Sequence, residues 1–133
     1  MTIYFKIILT VLLLTGSFFS CEKDSFVDED GLLITFRSEC FVSNFELLGA
    51  DFVTVRAAPA VIDTVAQTID VSVLFGTDLK NVYPQFTLAT DCKLDPKITG
   101  TMDLSNLADS KIFTVVSGNR LVRKPYKLII KYQ

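Results

Sequence analysis

The sequence predicts a single all-β domain, an antiparallel β-sandwich of six or seven short strands, and three observations support this. From about residue 41 onward, apolar and polar side chains alternate with a period of two, which is typical of strands with one buried face. The sequence Ser117-Gly118-Asn119-Arg120 separates two such runs and indicates a hairpin, because Gly and Asn tolerate positive φ. No amphipathic run of ten or more residues indicates a helix. A length of 133 residues leaves room for one domain.

Alternating runs place the strands in chain order. In the first run, Phe45 and Leu47 alternate with Asn44 and Glu46, so one face is apolar and the other polar. The same alternation recurs at 69–75, 86–88, 113–115 and 126–132. Strands of this length and spacing within about 100 residues are typical of an antiparallel sandwich.

The first 20 residues have the order of a secretory signal. A single cation, Lys6, precedes an apolar run at 7–14, and small residues follow. Ser20 before Cys21 resembles the lipobox of bacterial lipoproteins, although Phe18 and Phe19 depart from its pattern. The resemblance implies cleavage before Cys21 and acylation of that residue, which anchors a protein in a membrane. An ordinary signal peptide is one alternative; an uncleaved membrane helix is disfavoured, since the stretch falls short of the roughly 20 residues that span a bilayer.

An acidic stretch follows the expected lipidation site. Residues 22–30 are rich in Asp and Glu, which predicts a solvated tether. The sequence Cys-Glu-Lys-Asp also resembles the export signal of surface-exposed outer-membrane lipoproteins. We therefore divide the chain into a signal peptide at 1–20, a lipidated Cys and acidic tether at 21–30, and the sandwich at 31–133, and we expect it at the outer membrane, facing outward.

Composition excludes several function classes. With 13 Lys plus Arg against 15 Asp plus Glu, the chain has a formal charge of −2 and no basic surplus for binding nucleic acid. The absence of His excludes Ser-His-Asp and Cys-His nucleophiles and His-containing zinc sites. The last strands are nonetheless basic, which favours protection of a sheet edge against aggregation over a patch for an anionic ligand. The basic residues are Arg120, Arg123, Lys124, Lys127 and Lys131.

Two cysteines remain after Cys21. Cys40 precedes the first predicted strand, and Cys92 follows the run at 86–88. Exported proteins meet an oxidising compartment, so we expect a disulfide between them. Closing a loop of about 50 residues stabilises a fold by roughly 4 kcal/mol. Two buried thiols are the main alternative, and a metal site is disfavoured because the remaining ligands are missing.

A longer pattern carries a family resemblance. Its most specific part is Phe75-Gly76-Thr77-Asp78-Leu79-Lys80-Asn81-Val82-Tyr83-Pro84, and further parts lie at 42–48, 67–73, 95–100, 102–106, 113–119 and 126–130. Together they resemble the immunoglobulin-like domain of unknown function found in outer-membrane lipoproteins of polysaccharide-degrading Gram-negative bacteria, and the N-terminal module of carbohydrate-metabolism-domain lipoproteins. The resemblance covers about residues 41–133. It implies an immunoglobulin-like sandwich of about seven strands.

The expected outer-membrane location and the family resemblance favour an accessory, glycan-binding role in polysaccharide uptake. Sugar sites commonly use exposed aromatic faces with a few polar groups. The chain has no Trp, and Tyr126 and Tyr132 fall on the apolar register of the last run, so Tyr83 is the candidate ligand-binding residue.

A structural or assembly lipoprotein, such as a spacer, adhesin subunit or module docking on an outer-membrane protein, is the alternative. The apolar segment 31–37 could exchange as a strand, although it is more simply the domain's own first strand.

We expect no catalysis, no cofactor and no metal. Carboxylate pairs hydrolyse glycosides, but the candidate acids here are scattered through turns, where Asp commonly shapes the backbone. They are Asp91, Asp95, Asp103 and Asp109. A calcium loop is not expected either, because no Asp-x-Asp-x-Asp run occurs.

Overall fold

The structure, a computed structural model, describes residues 26–133, and within that range it is all-β, with seven strands and no helix. The strands are β1 (Val42–Leu48), β2 (Val61–Asp63), β3 (Thr68–Val73), β4 (Tyr83–Leu88), β5 (Lys93–Asp95), β6 (Ile112–Val116) and β7 (Arg123–Tyr132). One sheet holds β1 and β4, and the other has the order β2-β3-β7-β6-β5. The predicted sandwich is therefore confirmed as an all-β fold of two sheets.

Strand pairing is antiparallel with one exception. β6 and β7 form the predicted hairpin, in which Phe113 lies opposite Tyr126. β3 and β7 run parallel, with Ile69 opposite Leu128 and Val73 opposite Tyr132. The sequence predicted antiparallel pairing throughout. These two strands are far apart in the chain, so no tight turn constrains their relative direction.

The core lies between the sheets and follows the predicted alternation. Phe45 and Leu47 of β1 and Tyr126 of β7 are completely buried. The ring of Phe86 lies 4.9 Å from that of Phe45 and 4.9 Å from that of Phe113, so three aromatic rings join the two sheets. Full burial of a side chain of this size stabilises a fold by about 1.5–3 kcal/mol. The further buried members of the core include Val42, Ile69, Val71, Val73, Leu79, Val82, Leu104, Val115 and Leu128.

Two of the predicted turns form as the residues suggest. Gly76 has a φ of +83° after β3, and the amide of Lys80 donates to Oδ1 of Asp78 at 2.9 Å, as in an Asx turn. In the β6–β7 hairpin, the positive φ falls on Arg120, at 62°, and not on Gly118 or Asn119. The hairpin is closed by a hydrogen bond from the Ser117 amide to the Val122 carbonyl at 2.9 Å.

Two short strands and one long apolar segment differ from the sequence pattern. β2 and β5 have three residues each, too few for a period to be visible. Phe75, placed in the apolar register of the third strand, lies beyond the end of β3 and is exposed. The segment 31–37 forms no strand; its one ladder contact is an isolated bridge between Val27 and Leu33.

The sandwich has two distinct ends. The hairpin end carries residues 117–122 and the start of β1, because Sγ of Cys40 contacts the carbonyl oxygen of Val115 at 3.2 Å. At the opposite end, β1 finishes beside the start of β4, and β3 finishes beside the end of β7. The bridge between Arg56 and Val73 joins these two pairs. The ten residues of β7 span about 30 Å, which sets the distance between the ends.

The predicted signal peptide at 1–20 and the lipidation of Cys21 lie outside the described residues. Across residues 26–133, no helix long and apolar enough to cross a bilayer is present.

We expect Gly118→Ala to lower the free energy of unfolding by about 1–3 kcal/mol through overpacking. A Cβ atom there would lie 2.4 Å from Oγ1 of Thr35 and 2.9 Å from Cβ of Asp91. Gly100→Ala is the matched control, because a Cβ atom at Gly100 meets no atom within 4 Å. Chemical denaturation checks both, and equal stability of the two variants would contradict the close approach of Thr35 to the hairpin.

Candidate functional site

A long groove lies where the two sheets leave their edges unpaired. β4 is an edge of the two-stranded sheet and β5 is an edge of the five-stranded sheet. The groove between them has a volume of about 470 Å³. Because it follows the six residues of β4, it is about 20 Å long. It is lined by Asp30, Leu32, Tyr83, Pro84, Gln85, Phe86, Thr87, Leu88, Lys93, Leu94, Lys97 and Ile98.

The groove has an apolar floor and polar walls. Phe86 packs against the core, whereas Gln85 and Thr87, the alternate residues of β4, are exposed. Lys97 from the segment after β5 adds an ammonium group. An apolar surface with a few placed donors and acceptors is the usual composition of a small-molecule or sugar site.

Tyr83, the residue singled out from the sequence, lies at the opposite-end mouth of this groove. The ring of Phe52 lies 6.2 Å from the ring of Tyr83, inclined by 55°. Phe52 is 67% exposed, and Tyr83 is partly exposed. The two rings therefore form an aromatic surface at the groove mouth, and we call them the aromatic pair.

Phe52 is held in a backbone conformation that is rare for an aromatic residue. Its φ is 59°, in the left-handed region. Hydrogen bonds on both sides keep the turn closed: the Phe52 amide donates to the Gly49 carbonyl at 2.9 Å, and the Gly49 amide donates to the Val53 carbonyl at 2.9 Å. Backbone strain of this kind concentrates at functional positions.

A salt bridge beneath the turn supports it. Arg56 donates through Nη2 to Oε2 of Glu46 at 2.5 Å and through Nη1 to the Phe45 carbonyl at 2.7 Å. Thr54 donates to the other oxygen of Glu46 at 2.6 Å. Burial raises the pKa of Glu46, but the hydrogen bonds from Thr54, the Leu47 amide and Arg56 outweigh it, so the pKa is lowered. The carboxylate stays ionised and keeps the strand and the turn together.

A cluster of ion pairs closes the hairpin end of the groove, and we call it the acid clamp. Nζ of Lys93, on β5, lies 2.8 Å from Oδ2 of Asp28 and 3.2 Å from Oε1 of Glu29, and it also contacts Asp30. Nε of Arg120, in the hairpin, lies 2.8 Å from the same oxygen of Asp28. The side chains of Asp28 and Lys93 are both buried. Residues 28–30, predicted as part of a solvated tether, are instead bound to the sheet.

The clamp strongly changes the acidity of its members. Hydrogen bonds from Lys93 are the largest influence on Asp28, and together with the Leu32 amide and Arg120 they hold its pKa well below the ordinary value despite burial. Hydrogen bonds to Asp28 and Asp30 raise the pKa of Lys93 above its ordinary value. Both groups are therefore charged over the whole physiological range.

The predicted disulfide is not formed: Cys40 and Cys92 are free thiols. The fold brings them side by side, but each thiol donates to a backbone carbonyl, Cys40 to Val115 at 3.2 Å and Cys92 to Glu39 at 3.0 Å. Burial raises the pKa of both. Neither thiol is thus activated as a thiolate.

Three of the four acids considered for catalysis make structural contacts, and Asp103 and Asp109 line one pocket of about 300 Å³. Asp91 lies 3.4 Å from Nε of Arg37, and Asp95 lies 2.5 Å from Arg123. Asp103 accepts from the hydroxyl and the amide of Ser105, which lowers its pKa. A glycosidase needs one carboxyl whose pKa is raised, and the lowered pKa of Asp103 does not fit that role.

The other tyrosines and the basic strand also have defined places. Tyr126 is in the core, as expected, whereas Tyr132 is only partly covered and packs against Phe75, with 6.3 Å between the rings. Among the basic residues, Arg120 pairs with Asp28, and Lys131 lies 3.7 Å from Asp70. These pairs favour a structural role over an anion-binding patch.

Sequence reasoning missed Phe52 and the acid clamp. The signal for Phe52 was a large aromatic residue within a turn, next to Gly49 and Asp51. The signal for the clamp was the opposite charge of the acidic segment at 22–30 and of Arg120 in the basic C-terminal part of the chain. Neither signal says which residues meet, because the contacts join positions far apart in the chain.

Comparison with known proteins gives a family and a fold. The sequence profile of the family described as SGBP, N-terminal matches residues 50–128. No curated protein matches the chain. A chain described as a putative glycoside hydrolase from Bacteroides thetaiotaomicron is 22% identical over 71% of this chain, with a TM-score of 0.58, and a DUF4623 family protein from Bacteroides eggerthii is 17% identical over 71%, with a TM-score of 0.54. The match spans 25% and 22% of those two longer chains, so the likeness concerns the fold of one part of each.

We expect Asp28→Asn to lower the Tm by several degrees at neutral pH, because Lys93 and Arg120 lose their shared charge partner. The pKa of Asp28 is depressed in the folded state, so its stabilisation is complete above the ordinary value of 3.8 and is lost as the pH falls from there. The stability difference between wild type and variant should therefore shrink in acid.

Asp70→Asn is the matched control, since its pair with Lys131 is exposed and 3.7 Å long and contributes little. Thermal unfolding from pH 7 down to pH 3 measures both. A Tm difference between the wild type and Asp28→Asn that stays constant from pH 7 to pH 3 would contradict an ionised Asp28 in the acid clamp.

Proposed function

Because the chain belongs to the family described as SGBP, N-terminal, we propose that it is a non-catalytic lipoprotein module at the outer membrane that binds glycan as an accessory component of polysaccharide uptake. The family profile covers residues 50–128, which include Tyr83, β4 and β5. A glycan-binding family and an open groove along one edge of the sandwich support the same role.

The aromatic pair is the observation that carries this proposal. Phe52 is exposed and Tyr83 is partly exposed at the mouth of a groove whose walls offer Gln85, Thr87 and Lys97. Aromatic faces stack on the apolar faces of sugar rings, and the polar groups fix orientation by hydrogen bonds. A groove about 20 Å long accepts several units of an extended chain, which favours a polysaccharide over a free monosaccharide.

The site is proposed as a binding site without chemistry. Asp30 lines the groove, and it contacts Lys93 together with Asp28 and Glu29. The depressed pKa of Asp28 suits a permanent charge and not a proton donor. Neither a cofactor nor a metal is part of the proposal.

The anchor is proposed from the sequence. Cleavage before Cys21 and acylation of that residue would tether the sandwich to the outer membrane, with the acidic segment leading into the domain. The family membership supports a surface or secreted location.

A second candidate function rests on the same groove. β4 and β5 are both edge strands, and an extended peptide of an outer-membrane partner could add to such an edge by backbone hydrogen bonding. This would make the chain an assembly module. A crosslinker placed at Gln85 would then give a discrete adduct in intact cells, whereas one at the exposed Val65 would not.

We expect the purified protein to bind at least one member of a panel of plant, host and microbial polysaccharides. Tyr83→Ala should raise the Kd by about 10-fold or more, because loss of a central aromatic contact commonly costs about 2 kcal/mol. Phe52→Ala should weaken binding in the same direction. Isothermal titration or affinity electrophoresis measures this.

Tyr132→Ala is the matched control, because Tyr132 is an exposed aromatic residue at the same end but does not line the groove. It should leave the Kd unchanged. Equal loss in the Tyr83 and Tyr132 variants would contradict the groove as the site, and no binding to any polysaccharide would favour the assembly role.

A further inference from the structure

Four large apolar side chains are exposed at the hairpin end of the sandwich. Phe26 is 69% exposed, Leu33 62%, Phe36 103% and Leu121 83%. Single exposed apolar residues are common on proteins, but a group on one surface indicates a contact.

Backbone hydrogen bonds bring these residues to the same end. The Thr35 amide donates to the Gly118 carbonyl at 2.9 Å, and the Asn119 amide donates to the Arg37 carbonyl at 2.8 Å. Phe36 lies between Thr35 and Arg37 in the sequence, and Leu121 lies two residues after Asn119. The two side chains therefore belong to adjacent turns.

The acid clamp holds the surface in place. Nη2 of Arg120 donates to the Leu33 carbonyl at 3.2 Å, and its Nε contacts Asp28 at 2.8 Å. The amide of Ile34 donates to the carbonyl of Phe26. The segment that carries Phe26, Leu33 and Phe36 is thus attached to the hairpin by both ion pairs and backbone bonds.

The short stretch of chain between Cys21 and Phe26 indicates that a lipid bilayer contacts this surface. Phe26 is five positions after Cys21. Five fully extended residues reach at most about 18 Å. If Cys21 carries acyl chains in a membrane, the hairpin end cannot be farther than this from the bilayer surface.

We propose that the hairpin end of the domain rests on the membrane, with Phe26, Leu33, Phe36 and Leu121 inserted at the boundary between headgroups and acyl chains of the bilayer that holds Cys21. This inference rests on the anchoring stated under the proposed function. Amphipathic helices that lie in this interface bury their apolar faces by about 5–10 Å, and the same transfer of apolar surface out of water favours entry of these side chains.

The contact is with the apolar part of the lipid and not with anionic headgroups. Arg37 at this end lies 3.4 Å from Asp91, and Arg120 is paired with Asp28. Lys124 at the start of β7 adds one cation, and Glu29 and Asp30, which share Lys93 with Asp28, add two carboxylates, so this end has no net basic field. Binding should therefore be the same on zwitterionic and anionic bilayers.

The proposed contact also orients the groove. Phe52 and Tyr83 lie at the opposite end, about 20 Å from the hairpin end along β4. With the hairpin end on the bilayer, the aromatic pair points away from the membrane.

The chain lacks Trp, so a single substitution places a unique fluorophore. The experiment uses the full chain, expressed in a Gram-negative host, purified and reconstituted in phosphatidylcholine vesicles with or without brominated acyl chains, and in a parallel set with added phosphatidylglycerol. Phe36→Trp is the test variant and Leu121→Trp a second one on the same surface. Phe75→Trp, at the opposite end and also highly exposed, is the matched control.

Brominated lipid should reduce the emission of the Phe36→Trp and Leu121→Trp variants by about half or more, because side chains inserted at this boundary lie close to the acyl chains. The Phe75→Trp variant should stay unquenched, and phosphatidylglycerol should change neither result. Protein that floats with the vesicles while both test variants remain unquenched overturns the membrane contact and leaves the anchor standing. Protein that does not float with the vesicles overturns both the membrane contact and the anchor. Glycan binding by the groove is measured in a separate experiment and does not depend on this result.

Discussion

The two sheets of this domain differ in size, and much of the structure follows from that difference. A sheet of two strands, β1 and β4, covers only part of the inner face of a sheet of five. The apolar side chains left over must be buried by other parts of the chain, because exposed apolar surface is unfavourable. The segment 96–111 does this at one side, where Met102 bridges to Val82 and the Leu104 amide bonds to the Leu79 carbonyl. Along the same side, nearer the hairpin end, β4 and β5 stay apart, and the groove between them is lined in part by Lys97 and Ile98 of this segment.

Lys93 shows how the same mismatch makes the N-terminal segment part of the domain. Its side chain is buried on an edge strand, and a buried ammonium group is costly unless it is paired. Asp28, Glu29 and Asp30 supply the partners, and Asp28 also pairs with Arg120 of the hairpin. The acidic segment is therefore both a cover for one end of the groove and the link between the sheet and the residues that lead back to Cys21.

Both ends of the domain expose large apolar side chains, and they differ in where the chain enters. The strained turn, the aromatic pair and Phe75 occur at one end, and residues 26–37 dock beside the hairpin at the other. An elongated sandwich suits such a division, since strands of fixed length separate the two ends by a fixed distance. The proposed binding at the distal end and the proposed attachment at the proximal end need no moving part.

The sequence alone determined the elements that depend on neighbouring residues. The runs around Phe45, Ile69, Phe113 and Tyr126, the hairpin and the turn at Gly76 follow from a period of two and from local turn chemistry, and all of them form. It also singled out Tyr83, which lines the groove. Tertiary structure alone decided the parallel pairing of β3 with β7, the approach of Phe52 to Tyr83, the docking of Asp28 on Lys93 and the free state of Cys40 and Cys92. These contacts join positions far apart in the chain, and their partners are chosen by burial and charge compensation across the whole fold, which no local pattern contains.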